Sequence, residues 1–87
     1  MTLRENFAAN LRRLRLSAQL SQEELAHRAD LDRTYVSALE RCQYSASLDT
    51  IAQLAGALDV EPHMLLLIPS EINETSGQQV DANRPIA

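Results

Sequence analysis

Apolar residues recur along this chain at intervals of three and four, the spacing that places them on one face of an α-helix. Leu3, Phe7, Leu11 and Leu14 predict a first amphipathic helix from Thr2 or Leu3 to about Ser17. Ser21, with Glu24 three residues on, has the capping-box spacing for a second helix from Gln22 to about Ala29, turning Leu25, Ala26 and Ala29 inward. Asp30-Leu31 forms the turn, Asp30 being able to take the left-handed conformation and Leu31 serving as a buried plug. Asp32 caps a third helix that runs to Arg41, and Ser47 caps a fourth that runs to about Leu58. The inward stripe of the fourth is Leu48, Ile51, Leu54, Ala55 and Leu58, and Val60 plugs the next corner. Pro62 suits the first position of a fifth helix, although Glu61 is a poor cap for it.

The third helix is unusual on its outer side. Val36 and Leu39 point one way, while Arg33, Thr34, Ser37, Ala38 and Arg41 point the other. An ordinary amphipathic helix carries long, flexible charges towards solvent; this one is small and polar, bracketed by two arginines. Such a face fits against a flat, negatively charged surface, and the DNA major groove just admits a helix. The competing reading is a solvated face that happens to be short of bulk, and this segment alone leaves both open. The residues before it favour the first: a short helix, a tight turn and a second short helix, with Ala26 small where the two cross. Within that frame Arg33 is placed for a bidentate contact to guanine O6 and N7. Thr34 and Ser37 can donate or accept, and the Ala38 methyl can meet a thymine methyl.

From Leu11 to Leu65 the chain resembles the Cro-like phage-repressor, or XRE-type, helix-turn-helix family. The resemblance rests on Leu14-Arg15, Leu20-Ser21-Gln22-Glu23-Glu24-Leu25-Ala26, Arg33-Thr34-Tyr35-Val36-Ser37, Leu39-Glu40-Arg41, Ser47-Leu48-Asp49-Thr50-Ile51 and Leu54-Ala55. The string Leu31-Asp32-Arg33-Thr34-Tyr35-Val36 is similar to the controller proteins of restriction–modification systems. The resemblance implies an all-α fold, a compact five-helix lambda-repressor-like DNA-binding domain over residues 1–68. The polar, aperiodic residues 69–87 would form a short C-terminal extension. It also implies that Arg33, Thr34, Ser37 and Ala38 are the base readers and that Gln22 clamps a phosphate at the start of the second helix. Arg15 would pair with Glu40, bracing the first helix against the third; otherwise the arginines there serve the helix dipole. Arg41, Tyr44 and Ser45 are expected to touch the DNA backbone. Tyr35 either joins them or packs against a neighbouring side chain. Gln19, Asp30 and Cys42 stand where the family commonly has glycine, which predicts positive φ at all three if the backbone keeps its shape.

Composition refines this picture. The 87 residues are 45% hydrophobic but only 3% aromatic, so the core of this one small domain must be aliphatic. A net charge of −4 argues at first against DNA. Its distribution argues the other way: residues 1–47 hold seven arginines against six acids, and residues 48–87 hold one against six. Local field, not total charge, governs phosphate contacts, so a modestly positive reading face and an acidic rear surface are expected. Lone Cys42 forms no internal disulfide and suits a reducing bacterial or phage-infected cytoplasm; it is either a small, half-buried residue or a redox sensor. His27 and His63 lie far apart with no nucleophile at motif spacing and no Cys/His ligand set, so no enzyme, metal or cofactor is expected. The longest apolar run, Met64–Ile68, is too short to span a bilayer.

That run raises the question of a partner. Five consecutive apolar residues cover every face of a helix, and a small core takes Leu65 most readily. Met64, Leu66, Leu67 and Ile68 are then left for a symmetric homodimer, or for a tail folded back over them. A homodimer reading double-stranded DNA with two helices about 34 Å apart calls for a near-palindromic operator. The alternative from another class is an antitoxin-like module that neutralises a partner protein through this patch. A small-molecule sensor is the less expected reading, since no ligand-holding second domain is anticipated in these 87 residues.

Overall fold

The computed structural model describes residues 2–68, and the expected extension over 69–87 lies outside them. Four α-helices are present: α1 (Leu3–Ser17), α2 (Gln22–Ala29), α3 (Arg33–Glu40) and α4 (Leu48–Leu58). No strand occurs among the described residues. The expected fifth helix is instead a single 3-10 turn, Pro62–Leu65. Its shortness has a local cause. Glu61 supplies no side-chain cap, and the Asn10 amide nitrogen takes the carbonyls of Leu65 at 3.0 Å and Leu67 at 2.6 Å, the acceptors that a continuing helix would use.

The starts of α2 and α4 are capped at Ser21 and Ser47 as the sequence predicts, and α1 is capped in the same way at Thr2. The Thr2 hydroxyl accepts from the Glu5 amide at 3.1 Å while Glu5 Oε1 accepts from the Thr2 amide at 2.7 Å. Ser21 and Glu24 repeat this exchange at 3.0 and 2.8 Å, and Ser47 Oγ accepts from the Thr50 amide at 3.0 Å. In both boxes the backbone N–H bond from the cap residue holds the glutamate below its ordinary pKa.

The ends share one geometry. Gln19, Asp30, Cys42 and Asp59 sit at φ of 61°, 60°, 63° and 59°, all left-handed. After each, the next amide reaches back five residues: Leu20 to the Arg15 carbonyl, Leu31 to Ala26, Gln43 to Ala38 and Val60 to Ala55, at 2.8–3.1 Å. This is the Schellman closure, normally built on glycine. Three of the four positions were anticipated from the family's glycines. Asp59 was not.

Leu11, Leu25, Val36, Leu39, Leu54 and Leu65 are wholly buried, so every helix and the 3-10 turn contribute to one aliphatic core. Leu31 and Val60, the corner plugs, are half-buried and pack against it. Two residues assigned to inward stripes are not there: Leu3 is 62% and Leu48 83% exposed. Both are first residues of helices. Helical side chains lean towards the N-terminus, so a first-turn residue overhangs the helix end instead of facing the core.

Replacing Cys42 or Gln19 by glycine should remove left-handed strain at some entropic cost, a net gain of up to about 1 kcal/mol. Each variant should raise the thermal midpoint by a few degrees, read by calorimetry. The two capping glutamates add an acid dependence. Their lowered pKa values mean a contribution present above the ordinary carboxylate pKa and lost as pH falls through the lowered one. Urea midpoints should therefore decline on acidification below the ordinary glutamate range, and less steeply in Glu5→Gln/Glu24→Gln.

Candidate nucleic-acid interface

The angle between α2 and α3 is fixed by a buried charge cluster contributed by three helices. Arg15 of α1 and Glu40 of α3 form a two-pronged pair, Nε to Oε2 at 2.6 Å and Nη2 to Oε1 at 3.0 Å. Their side chains are only 8% and 3% exposed. The third prong, Nη1, donates to the Leu20 carbonyl at 2.9 Å, and Gln22 Nε2 of α2 donates to Glu40 Oε1 at 3.0 Å. Its hydrogen bonds to Glu40 raise the Arg15 pKa further, so the guanidinium stays charged at any physiological pH. A buried charge pair is tolerable only when nearly all its donors and acceptors are matched, and here they are.

This cluster sets the orientation of α3. Val36 and Leu39 are fully buried, while Arg33, Thr34 and Arg41 are exposed and Ser37 half-exposed. Ala38 departs from expectation: it is 4% exposed. At this end of the helix the Gln43 amide donates back to the Ala38 carbonyl at 2.9 Å. The Ala38 methyl has little surface to offer a base. Asp32 also departs from expectation, since it makes no side-chain cap to α3; its carboxylate accepts from the Thr34 hydroxyl instead.

Beside α3 lies a shallow recess lined by Thr34, Tyr35, Ala38, Arg41, Gln43 and Tyr44. The Tyr35 and Tyr44 rings stand 6.3 Å apart at 43°, a tilted aromatic pair that couples the loop after α3 to the helix. Tyr35 is thus half-buried by packing, and Tyr44 remains 58% exposed. Ser45 is exposed on the same loop. Arg41 Nε lies 3.3 Å from the Ser37 carbonyl, leaving its terminal nitrogens free to face outward. Gln22, expected as a phosphate clamp, spends one amide hydrogen on Glu40 and keeps the other. Nothing in the pattern of the sequence marked Gln43; only the fold brings it to the recess.

The segment expected at a dimer interface is less open than its composition implied. Met64 and Leu66 pack partly against the core and Leu67 is half-buried, while Ile68 is 49% exposed. Cys42 is free and half-buried. Among the described residues, no helix is long and apolar enough to cross a membrane.

Two short helices joined by a left-handed turn, the second held outward from a three-helix charge cluster, is a helix-turn-helix. A family model described as helix-turn-helix matches residues 11–65. The chain belongs to the XRE-type helix-turn-helix family. A hypothetical transcription factor of Neisseria meningitidis is 48% identical over 69 residues, which cover 79% of this chain and 65% of that protein. The chain thus spans just under two thirds of that relative's length. A crystal structure of the Neisseria factor superposes with a TM-score of 0.80 at 45% identity, covering 84% of each chain. The restriction–modification controller protein C.AhdI from Aeromonas hydrophila gives a TM-score of 0.70 at 48% identity, over 71% of this chain and 94% of its own.

Removing one partner of the buried pair leaves the other charged and unmatched. Arg15→Ala in this XRE-type domain should lose about 3–5 kcal/mol in urea unfolding. Exposed Arg12→Ala should stay within about 0.5 kcal/mol of the parent.

Proposed function

We propose that the protein is a sequence-specific, double-stranded-DNA-binding transcriptional regulator that acts as a homodimer on a near-palindromic operator. The single observation that carries this is the exposed Arg33-Thr34-Ser37 face of α3, held out by buried Val36 and Leu39 on a helix fixed by the Arg15–Glu40 pair. Arg33 begins α3, where recognition helices contact base edges. Its exposed guanidinium reads guanine through O6 and N7. Thr34 and Ser37 complete the base-contacting set. Ala38, nearly buried, is left out of it.

Gln22, Tyr35, Arg41, Tyr44 and Ser45 form a rim around this face and hold phosphates. Such contacts set register and affinity, while base contacts set sequence. The homodimer forms over Met64, Leu66, Leu67 and Ile68, with the domain over residues 1–68 as the DNA-binding unit and 69–87 as an extension. Likeness to a restriction–modification controller supports a regulatory circuit of that kind, with the molecule in the cytoplasm against its DNA.

Selection of bound duplexes from a random pool should return two inverted half-sites about one helical turn apart, about 10 base pairs between centres. Arg33→Ala should cost about 1–3 kcal/mol on that operator and relax one base position per half-site. Uniform weakening on all sequences would make Arg33 a phosphate contact and remove the central support for sequence reading.

A further inference from the structure

Along α1 the buried atoms Asn6 Oδ1, Asn10 Oδ1, Arg13 Nε and Arg13 Nη2 have no hydrogen-bond partner among the described residues. Spacings of four and then three place these side chains on one face of the helix. Asn6 is 8% exposed, Asn10 is wholly buried and Arg13 is half-buried. A buried acceptor or guanidinium nitrogen left unmatched is costly, and in folded proteins such groups almost always find a partner. Here the orphans fall in a row, two carbonyl oxygens and then a cation. That order calls for N–H or O–H donors followed by a carboxylate.

The described residues end beside this stripe. Asn10 holds the carbonyls of Leu65 and Leu67 through its amide nitrogen, so the chain passes Ile68 next to the middle of the row. We propose that residues 69–75 dock along this face of their own α1. Their backbone amides and the Ser70 hydroxyl donate to Asn6 and Asn10 Oδ1, and Glu71 and Glu74 accept from Arg13. Length permits it: Asn6 to Arg13 spans about 10 Å of helix axis, and six extended residues reach about 20 Å.

Charge selects this occupant. Residues 69–87 hold Glu71, Glu74 and Asp81 against Arg84 alone. On α1, Arg15 is taken by Glu40, which leaves Arg12 and Arg13 as cations of its later turns. A second copy's stripe would bring the same acceptors and the same cation, so two stripes laid together repel. The chain's own segment is also tethered at Ile68, which gives it a high effective concentration at the stripe. The working boundary of the domain then falls near Thr75 instead of Ile68.

Backbone relaxation and amide hydrogen exchange of the full chain test this. Amides 70–75 should relax like those of α1–α4 and exchange about tenfold or more slower than unstructured peptide. Glu71→Arg/Glu74→Arg should return amides 70–75 to peptide values while α1–α4 keep theirs. Adding Arg13→Glu to that variant should restore most of the protection. Should Arg13→Glu lower helicity in circular dichroism, the Glu71→Arg/Glu74→Arg variant decides alone, since it alters no residue of the four helices. Parent amides 70–75 that exchange as unstructured peptide overturn the docking. Protection that survives the charge reversal overturns it as well, and so do amide shifts at 70–75 that move with protein concentration, the mark of docking on a second copy.

Discussion

The rest of the molecule depends on the Arg15–Glu40 pair. Its two short hydrogen bonds, with the further prongs to Leu20 and Gln22, lock three helices whose own lengths are eight to fifteen residues. Helices of eight residues are marginal alone, and their apolar faces offer only two or three buried side chains each. Leucine contacts are nondirectional, so they hold α3 against the core without fixing its rotation. A forked guanidinium on a carboxylate has one geometry. The ion pair therefore supplies orientation where packing supplies cohesion.

That division of labour explains how an acidic protein presents a face suited to DNA. The charges that define the site are few, Arg33 and Arg41 with neutral polar groups between and beside them. The surplus of acids falls in the later half of the sequence. A rigidly aimed small face needs less net charge than a loosely held one, because its contacts are placed before the encounter and little ordering remains to be done on binding. The tilted Tyr35–Tyr44 pair extends the same stiffness to the loop after α3.

Much of this was legible in the residues. The capping pair Ser21–Glu24, the Ser47 cap and the stripe of Leu11, Leu14, Leu25 and Leu54 follow from local rules that tertiary structure did not override, while the left-handed Gln19, Asp30 and Cys42 follow from the family's glycine positions. What escaped has a common cause. Leu3, Leu48 and Ala38 satisfy helical periodicity, yet periodicity is blind to where a helix ends and to what a neighbouring loop covers. Leu3 and Leu48 overhang their helix starts, and Ala38 is buried at a helix end where the chain turns back on itself. The missing fifth helix was likewise decided from outside its own sequence, by an amide 55 residues earlier.

That amide has a wider meaning. A core made almost wholly of leucine, alanine and valine accepts many near-equivalent arrangements, since one aliphatic side chain substitutes for another with little penalty. Asn10, fully buried among them, does not. Its amide nitrogen donates to carbonyls two residues apart, Leu65 and Leu67, and so ties the closing turn to α1. Displacing the turn would cost the Asn10 amide nitrogen both carbonyls, at a residue whose Oδ1 already has no partner among the described residues. Wholly buried Asn10 thus acts as an index mark, favouring one register of the closing turn over its aliphatic near-equivalents.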